Sequence, residues 1–480
     1  MRTTFHLKTL AVAIAALSVA SVTNAAGLDR SGQDITAFLQ DGTYAEAVYT
    51  YIDADVSGYD SANTSPDSNT YERGNKTGDI AESYDFFRYG VKTDINDTFS
   101  VGILYDEPFG AAAEYSGDNN FVAQGDQDAS ISGITDGRFT DIDTARATLA
   151  ALEAAPVLSP ELVESRDDLR AAVGIVDAEA DTAGENTNVE VRSENLTAII
   201  GAKFGANKNF QIYGGPVAQR IESSVKLRGL AYGPASGYTS NSNPDQDYGW
   251  LAGISYSKPE IALKAALTYR SEIDHNLKIA ESYPLAGTLT EAGALEQGVP
   301  PAQAAALGEA AANRTSNMDI TTPKSVNFDF QTGVNPTTLA TAKVRWVPWG
   351  DFKITPPLYN DVSKRSYGPD GLNLVEYKDD QWQVELGLAK RVAPALAISG
   401  TVGWDSGAGD PTTSLGPIDG YYSVGLGAKY NVTENWAVSA GGKYLWFGDA
   451  KGQLPTGKIV GDFQDNDGYV AGLKLSYQAK

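Results

Sequence analysis

The sequence contains no cysteine, which excludes disulfide stapling, thiolate chemistry and every zinc site that needs a sulfur ligand. Histidine is almost as scarce. Only His6 and His275 occur, and His6 falls in an amino-terminal stretch expected to be removed. A serine nucleophile would have to take its base from His275, which sits in the polar run Glu272 to Asn276 and reads as a loop residue. No Walker loop, Gly-x-Ser-x-Gly elbow, His-Glu-x-x-His or dinucleotide fingerprint is present. The acidic pairs Asp53 with Asp55, Asp379 with Asp380, and Asp465 with Asp467 stand isolated at expected loop edges and read as solvated turns. The chain is therefore expected not to be an enzyme, with no catalytic residue, metal or cofactor. Beyond the amino-terminal stretch, no apolar run approaches the ~18 residues of a membrane helix, so any membrane crossing must be made by strands.

What is present begins with Met1 to Lys8, short and basic, then the apolar Thr9 to Val22, then Thr23-Asn24-Ala25-Ala26. That order is a secretory signal peptide, residues 1–26. The formal net charge is −24, carried mainly between strand-like runs, which makes nucleic acid an unexpected partner. The 25 tyrosines and seven tryptophans suit either a membrane-interface girdle or a sugar-binding surface.

The strongest pattern is alternation. In the last segment Tyr469, Ala471, Leu473, Leu475 and Tyr477 share one face, while Val470, Gly472, Lys474, Ser476 and Gln478 share the other. Since a strand alternates its faces with period two, this gives one apolar wall tipped by rings and one polar or small wall. Tyr422 to Tyr430, Ile261 to Tyr269 and Leu396 to Trp404 repeat it. Strands are expected near 44–56, 81–93, 98–109, 188–205, 208–231, 245–257, 260–274, 318–331, 336–347, 375–390, 395–405, 418–431, 434–448 and 467–479. Tight connections such as Asn96-Asp97 and Asn431 to Asn435 alternate with long ones at 57–80, 110–187, 232–244, 275–317, 349–374, 406–417 and 449–466. Short turns at one end and long loops at the other predict an all-β fold: a transmembrane antiparallel barrel of about fourteen strands, residues 44–480, with both termini periplasmic. Helices are expected at Thr144 to Ala155, Pro160 to Val176 and Pro301 to Ala312, either as caps over the pore mouth or as surface elaboration. Residues 27–43, with Leu28, Ile35, Phe38 and Leu39, can fold into the lumen as a hatch or remain a frayed tail.

Three stretches carry a family resemblance: Gly27-Leu28-Asp29-Arg30-Ser31-Gly32-Gln33, Pro323 to Gly333, and Lys343-Val344-Arg345-Trp346-Val347-Pro348-Trp349-Gly350-Asp351-Phe352. With the strand count, they make the chain resemble the OmpP1/FadL/TodX outer-membrane transporters of long-chain fatty acids and aromatic hydrocarbons. The resemblance implies a fourteen-stranded barrel with an amino-terminal hatch, a hydrophobic solute as partner, and lateral release through a kink in the third strand. Here that kink would fall at Pro108, Phe109 and Gly110, since proline removes a ladder donor and glycine permits a bend; the same residues could simply end the strand. Arg88, Lys203, Lys343 and Arg345 are candidate contacts for a solute carboxylate. Outer-membrane lipid and the barrel-assembly machinery are the other implied partners, and a monomer is expected. Two departures stand out: the hatch lacks the family's Asn-Pro-Ala motif and is short, and the chain ends Tyr477-Gln478-Ala479-Lys480 without a terminal aromatic. A diffusion porin for hydrophilic solutes and a surface adhesin or structural barrel are the rival readings.

Overall fold

The computed structural model describes residues 28–66 and 68–479. The expected signal peptide, residues 1–26, and Gly27 lie outside the described residues. Fourteen strands form one sheet: β1 (Thr43–Asp55), β2 (Tyr84–Asp94), β3 (Phe99–Asp106, resuming at Gly110–Glu114), β4 (Asn188–Phe204), β5 (Phe210–Lys226), β6 (Thr239–Ser242 and Asp245–Lys258), β7 (Leu263–Arg270 and Ile273–Ser282), β8 (Asn313–Thr322 and Ser325–Asn335), β9 (Thr338–Val347), β10 (Gln381–Ala393), β11 (Leu396–Asp405), β12 (Tyr421–Asn431), β13 (Trp436–Phe447) and β14 (Asp467–Ala479). Each pairs antiparallel with its sequence neighbour, and β1 closes on β14, with Thr43 opposite Ala479 and Asp55 opposite Asp467. Closure removes the free edges that an open sheet would expose.

The alternation in sequence becomes a barrel turned inside out. Along β14, Leu473 and Leu475 are exposed, whereas Lys474 is 1% and Ser476 4% exposed. A water-soluble sandwich would bury the leucines and expose the lysine; only lipid outside the wall makes this arrangement favourable. Ring contacts mark the two edges of the apolar band. Trp436 packs on Tyr477 at 5.0 Å toward the short turns, and Trp250 on Tyr269 at 5.2 Å toward the long loops. From Tyr469 to Tyr477, at ~3.4 Å per residue and a tilt of about 40°, the band is roughly 21 Å tall, close to the hydrocarbon thickness such barrels match.

The long loops are built structures. Short strands at Ser57–Ser61, Arg73–Asp79, Thr412–Thr413, Ala450–Gln453 and Ile459–Phe463 join in a five-stranded sheet above the barrel. Helices α1 (Gln127–Ile134), α2 (Ile142–Ala154) and α3 (Pro160–Asp181) occupy the loop after β3, α4 (Pro284–Glu296) and α5 (Pro301–Ala312) the loop after β7, and α6 (Pro357–Tyr367) the loop after β9. Their starts are legible locally: Asp126, Asp141 and Ser159 each accept a hydrogen bond from a free first-turn N–H, and Pro160 fits the first turn, where no N–H is needed. The expected helices at 144–155, 160–176 and 301–312 correspond to α2, α3 and α5; α1, α4 and α6 are additional.

One expectation is corrected. His275 is not a loop residue: it lies in the second part of β7 and is 2% exposed, with Nδ1 3.1 Å from Asp245 Oδ2 and Nε2 3.0 Å from Gln219 Oε1. Residues 273–282 and 313–322 continue the hairpin of β7 and β8 outward through ten paired positions, so the connection expected at 275–317 is shorter than its sequence suggested.

Candidate functional site

Residues 28–42 lie against inward-facing side chains of β2 to β9. Their path is a string of tight turns: Gly32 and Gln33 take positive φ, Asp34 Oδ1 accepts from Thr36 N at 2.7 Å, and Phe38 N reaches Ile35 O at 2.9 Å. Ile35, Phe38 and Leu39 share one buried cluster with Leu104, Ile199, Tyr213 and Val217 of β3 to β5. Phe38 is wholly buried because the wall behind it is glycine. A Cβ on Gly102 would come within 2.8 Å of the ring, and one on Gly201 within 3.0 Å. Leu28 is not part of this group; it belongs to the larger core beneath the loops, with Phe109 and Trp349.

Charges fix the same segment to β9 and β2. Arg345 holds Asp29 through two hydrogen bonds, Nε to Oδ2 at 2.6 Å and Nη2 to Oδ1 at 3.0 Å, and also reaches Gln33 and Asn327. Asp34 meets Lys343 at 2.8 Å and Arg88 at 3.5 Å. Three of the four candidate carboxylate contacts, Arg88, Lys343 and Arg345, therefore converge on Asp29 and Asp34 of the segment. Lys203 is not with them: it pairs with Asp94 at 3.1 Å, near the short turns. A solute acid reaching Arg88, Lys343 or Arg345 would have to exchange with Asp29 or Asp34.

At Pro108 the wall is interrupted. Asp106 faces Asn195 and Gly110 faces Arg192, so Glu107, Pro108 and Phe109 stand against only Ser193 and Glu194. The extra residue is a bulge. Ser193 compensates for the broken ladder, its Oγ accepting from Phe109 N at 2.8 Å and donating to Phe109 O at 2.7 Å. Meanwhile the ladder between β2 and β3 stops at Tyr89 and Tyr105. The amino-terminal segment enters this interruption as a short extra strand: Arg30 N donates to Pro108 O at 2.7 Å, and Gly110 N to Leu28 O at 2.6 Å. The Arg30 guanidinium lies 4.0 Å over the Tyr84 ring and against Gly110, where a Cβ would fall 2.4 Å from Arg30 Cζ. Pro108, Phe109 and Gly110 thus belong to a bend within β3, with residues 28–30 seated in it.

Two features were not picked out from the sequence. Arg270 is 3% exposed, and among the described residues its guanidinium makes one hydrogen bond, from Nη1 to Thr197 Oγ1 at 3.3 Å, while Nε and Nη2 lack a partner. Asn195 Nδ2, two residues along the same face of β4 from Thr197, is also unpartnered. Buried, unsatisfied donors are costly unless something binds them. The other feature is an outer pocket of about 800 Å³, counting its open mouth, among the loops. Tyr232, Tyr283, Leu285, Tyr359 and Leu415 line it, and burial pushes all three phenols above their ordinary value, so they are neutral and the pocket is uncharged there.

A closed barrel with an apolar exterior and loops gathered at one end defines a bacterial outer-membrane protein. Residues 187–478 match the family model described as outer membrane protein transport protein (OMPP1/FadL/TodX), and the chain belongs to that family of outer-membrane transporters of hydrophobic compounds. It is a passive transport protein and not an enzyme. Among solved structures, a Pseudomonas aeruginosa FadL homologue is similar with a TM-score of 0.58 and 16% identity, over 92% of this chain and 91% of that one. The P. putida toluene transporter TodX is similar with a TM-score of 0.50 and 11% identity, over 92% and 91% of the two chains. At these identities the likeness establishes the fold. No curated protein sequence matches the chain.

Proposed function

We propose that the protein takes up long-chain fatty acids and releases them sideways into the membrane through the interruption beside Pro108, with residues 28–42 acting as the hatch. The observation that carries this reading is the bulge at Glu107 to Phe109 combined with the early end of the β2 and β3 ladder. The outer pocket at Tyr232, Tyr283 and Tyr359 collects the apolar solute, and Ile35, Phe38 and Leu39 form the greasy floor it meets inside. Movement of Leu28 to Arg30 out of the bend then joins the interior to the lipid. Arg270 and Asn195, with donors to spare, receive the carboxylate, which favours an acid over an aromatic hydrocarbon such as the toluene named for TodX. The protein acts as a monomer in this scheme.

Because the chain has no cysteine, a single engineered pair tests the scheme. Ser31 Oγ donates to Asp106 Oδ2 at 2.9 Å, so Ser31→Cys with Asp106→Cys ties the hatch to β3. In liposomes bearing this variant, fluorescent long-chain fatty acid should transfer when the pair is reduced and stop when it is oxidised, with a small sugar excluded throughout. Equal transfer in both states would overturn the hatch and lateral route. Rapid sugar passage would identify a diffusion porin instead.

A further inference from the structure

We propose that the membrane-facing wall of β3 to β5 carries a second site, unrelated to the bend at Pro108, that retains the acyl chain of a phospholipid from the periplasmic leaflet. β4 and β5 keep one register throughout, yet between the pairs Thr197 with Val217 and Ile200 with Gly214 the pairing lapses for two positions. Pro216 has no N–H to offer there. The outward residues at the lapse are Ala198, Gly214 and Pro216, too small to rise to the level of Ile103 and Ile200, which stand up on the same outer face at 57% exposure each. The result is a groove of about 430 Å³, lined mainly by aliphatic side chains and backbone. That lies within the roughly 300–1,000 Å³ of small-ligand sites.

Its position selects the occupant. The groove lies within the lipid-facing band, on the side of the short turns. Ile200 is four residues from Phe204, roughly 14 Å along the strand at ~3.4 Å per residue. Phe204, Phe210 and Tyr256 form the interfacial ring cluster there, at centroid separations of 5.5 and 4.9 Å. Beyond the rings, in the turn between β4 and β5, the exposed Lys208 donates to Thr98 Oγ1 at 2.7 Å, which fixes a cation at headgroup depth. A phospholipid with its phosphate at Lys208 and one chain lying up the groove satisfies both ends at once. A detergent tail or a free hydrocarbon uses only the groove.

The experiment is photolabelling of the full barrel in liposomes containing a phospholipid with a diazirine in its acyl chain, followed by mapping of the adducts. Labelling at Ile103, Ala198 and Ile200 should exceed severalfold that at Leu388 and Leu426, which are also exposed on the outer face but lie on β10 and β12. Ala198→Phe, which fills the groove, should bring it down to that level, and Lys208→Glu should lower it severalfold. The wild-type map decides the matter even if a variant fails to fold. Uniform labelling around the barrel overturns the proposal, as does labelling obtained only with a diazirine free fatty acid, which would make the groove part of the solute's route.

Discussion

Arg345 and Asp29 are 316 residues apart in sequence and are joined by two hydrogen bonds. Both side chains are nearly inaccessible to solvent, so removing one partner leaves an uncompensated buried charge, a loss of about 3–5 kcal/mol. Asp29→Ala should therefore release residues 28–42 from the wall without unfolding the barrel, which does not need that pair for its ladders. Hydrogen exchange would show it as a selective loss of protection at the amides of Phe38 and Gln40; protection unchanged from wild type would mean that the apolar contacts of Ile35 and Phe38 hold the segment alone. Sequence reasoning could see that Arg88, Lys343 and Arg345 were basic residues on strands. It could not see their partners, because ion pairing across a barrel depends on closure and not on spacing. Arg270 escaped for a related reason: its significance lies in what it fails to bond, and only the packed interior defines that. His275 was misread because Asp274 and Asn276 look like turn formers, whereas Ile273, His275, Leu277 and Ile279 alternate inward along a strand.

At the scale of the element, the hairpins between the short turns were legible because period-two alternation and turn residues agree there. The outer halves of β7 and β8 were not, since above the lipid both faces are wet or packed under loops and the alternation loses contrast. The five-stranded loop sheet escaped for the same reason, its strands being short and their partners remote: Ser57 to Ser61 pairs with residues near 461. The bend in β3 was visible as Pro108 and Gly110, but its cause is one residue too many, three facing two. Deleting Pro108 would restore equal numbers against Ser193 and Glu194 and supply a continuous ladder. The expected outcome is a barrel that folds normally, judged by its heat-modified gel mobility, and has lost fatty-acid transfer into liposomes. Retained transfer would mean that the solute leaves elsewhere.

For the whole molecule, the distribution of charge separates compartments. The net charge of −24 describes the outer loops more than the interior, where Arg88, Lys343 and Arg345 line the wall opposite two carboxylates of the amino-terminal segment. Two small cavities, about 80 and 40 Å³, flank that segment and share Asp329, Lys343 and Glu385 in their walls. Deleting residues 28–41 removes both Asp29 and Asp34 and merges this space with the volume the segment occupied. The wall then keeps three cations that have lost those partners, with Arg345 left no carboxylate within ion-pair distance among the described residues. In a planar bilayer the deleted form should conduct ions where the full chain is silent, and fixed positive charge along the pore should favour anions. Under a salt gradient the reversal potential gives the sign. An anion preference that weakens in Arg345→Gln would place the selectivity on the residues that Asp29 and Asp34 neutralise. A silent deleted form would show that the loop core around Trp349 closes the barrel without help from the segment, and cation selectivity would put the loop acids in control of the pore.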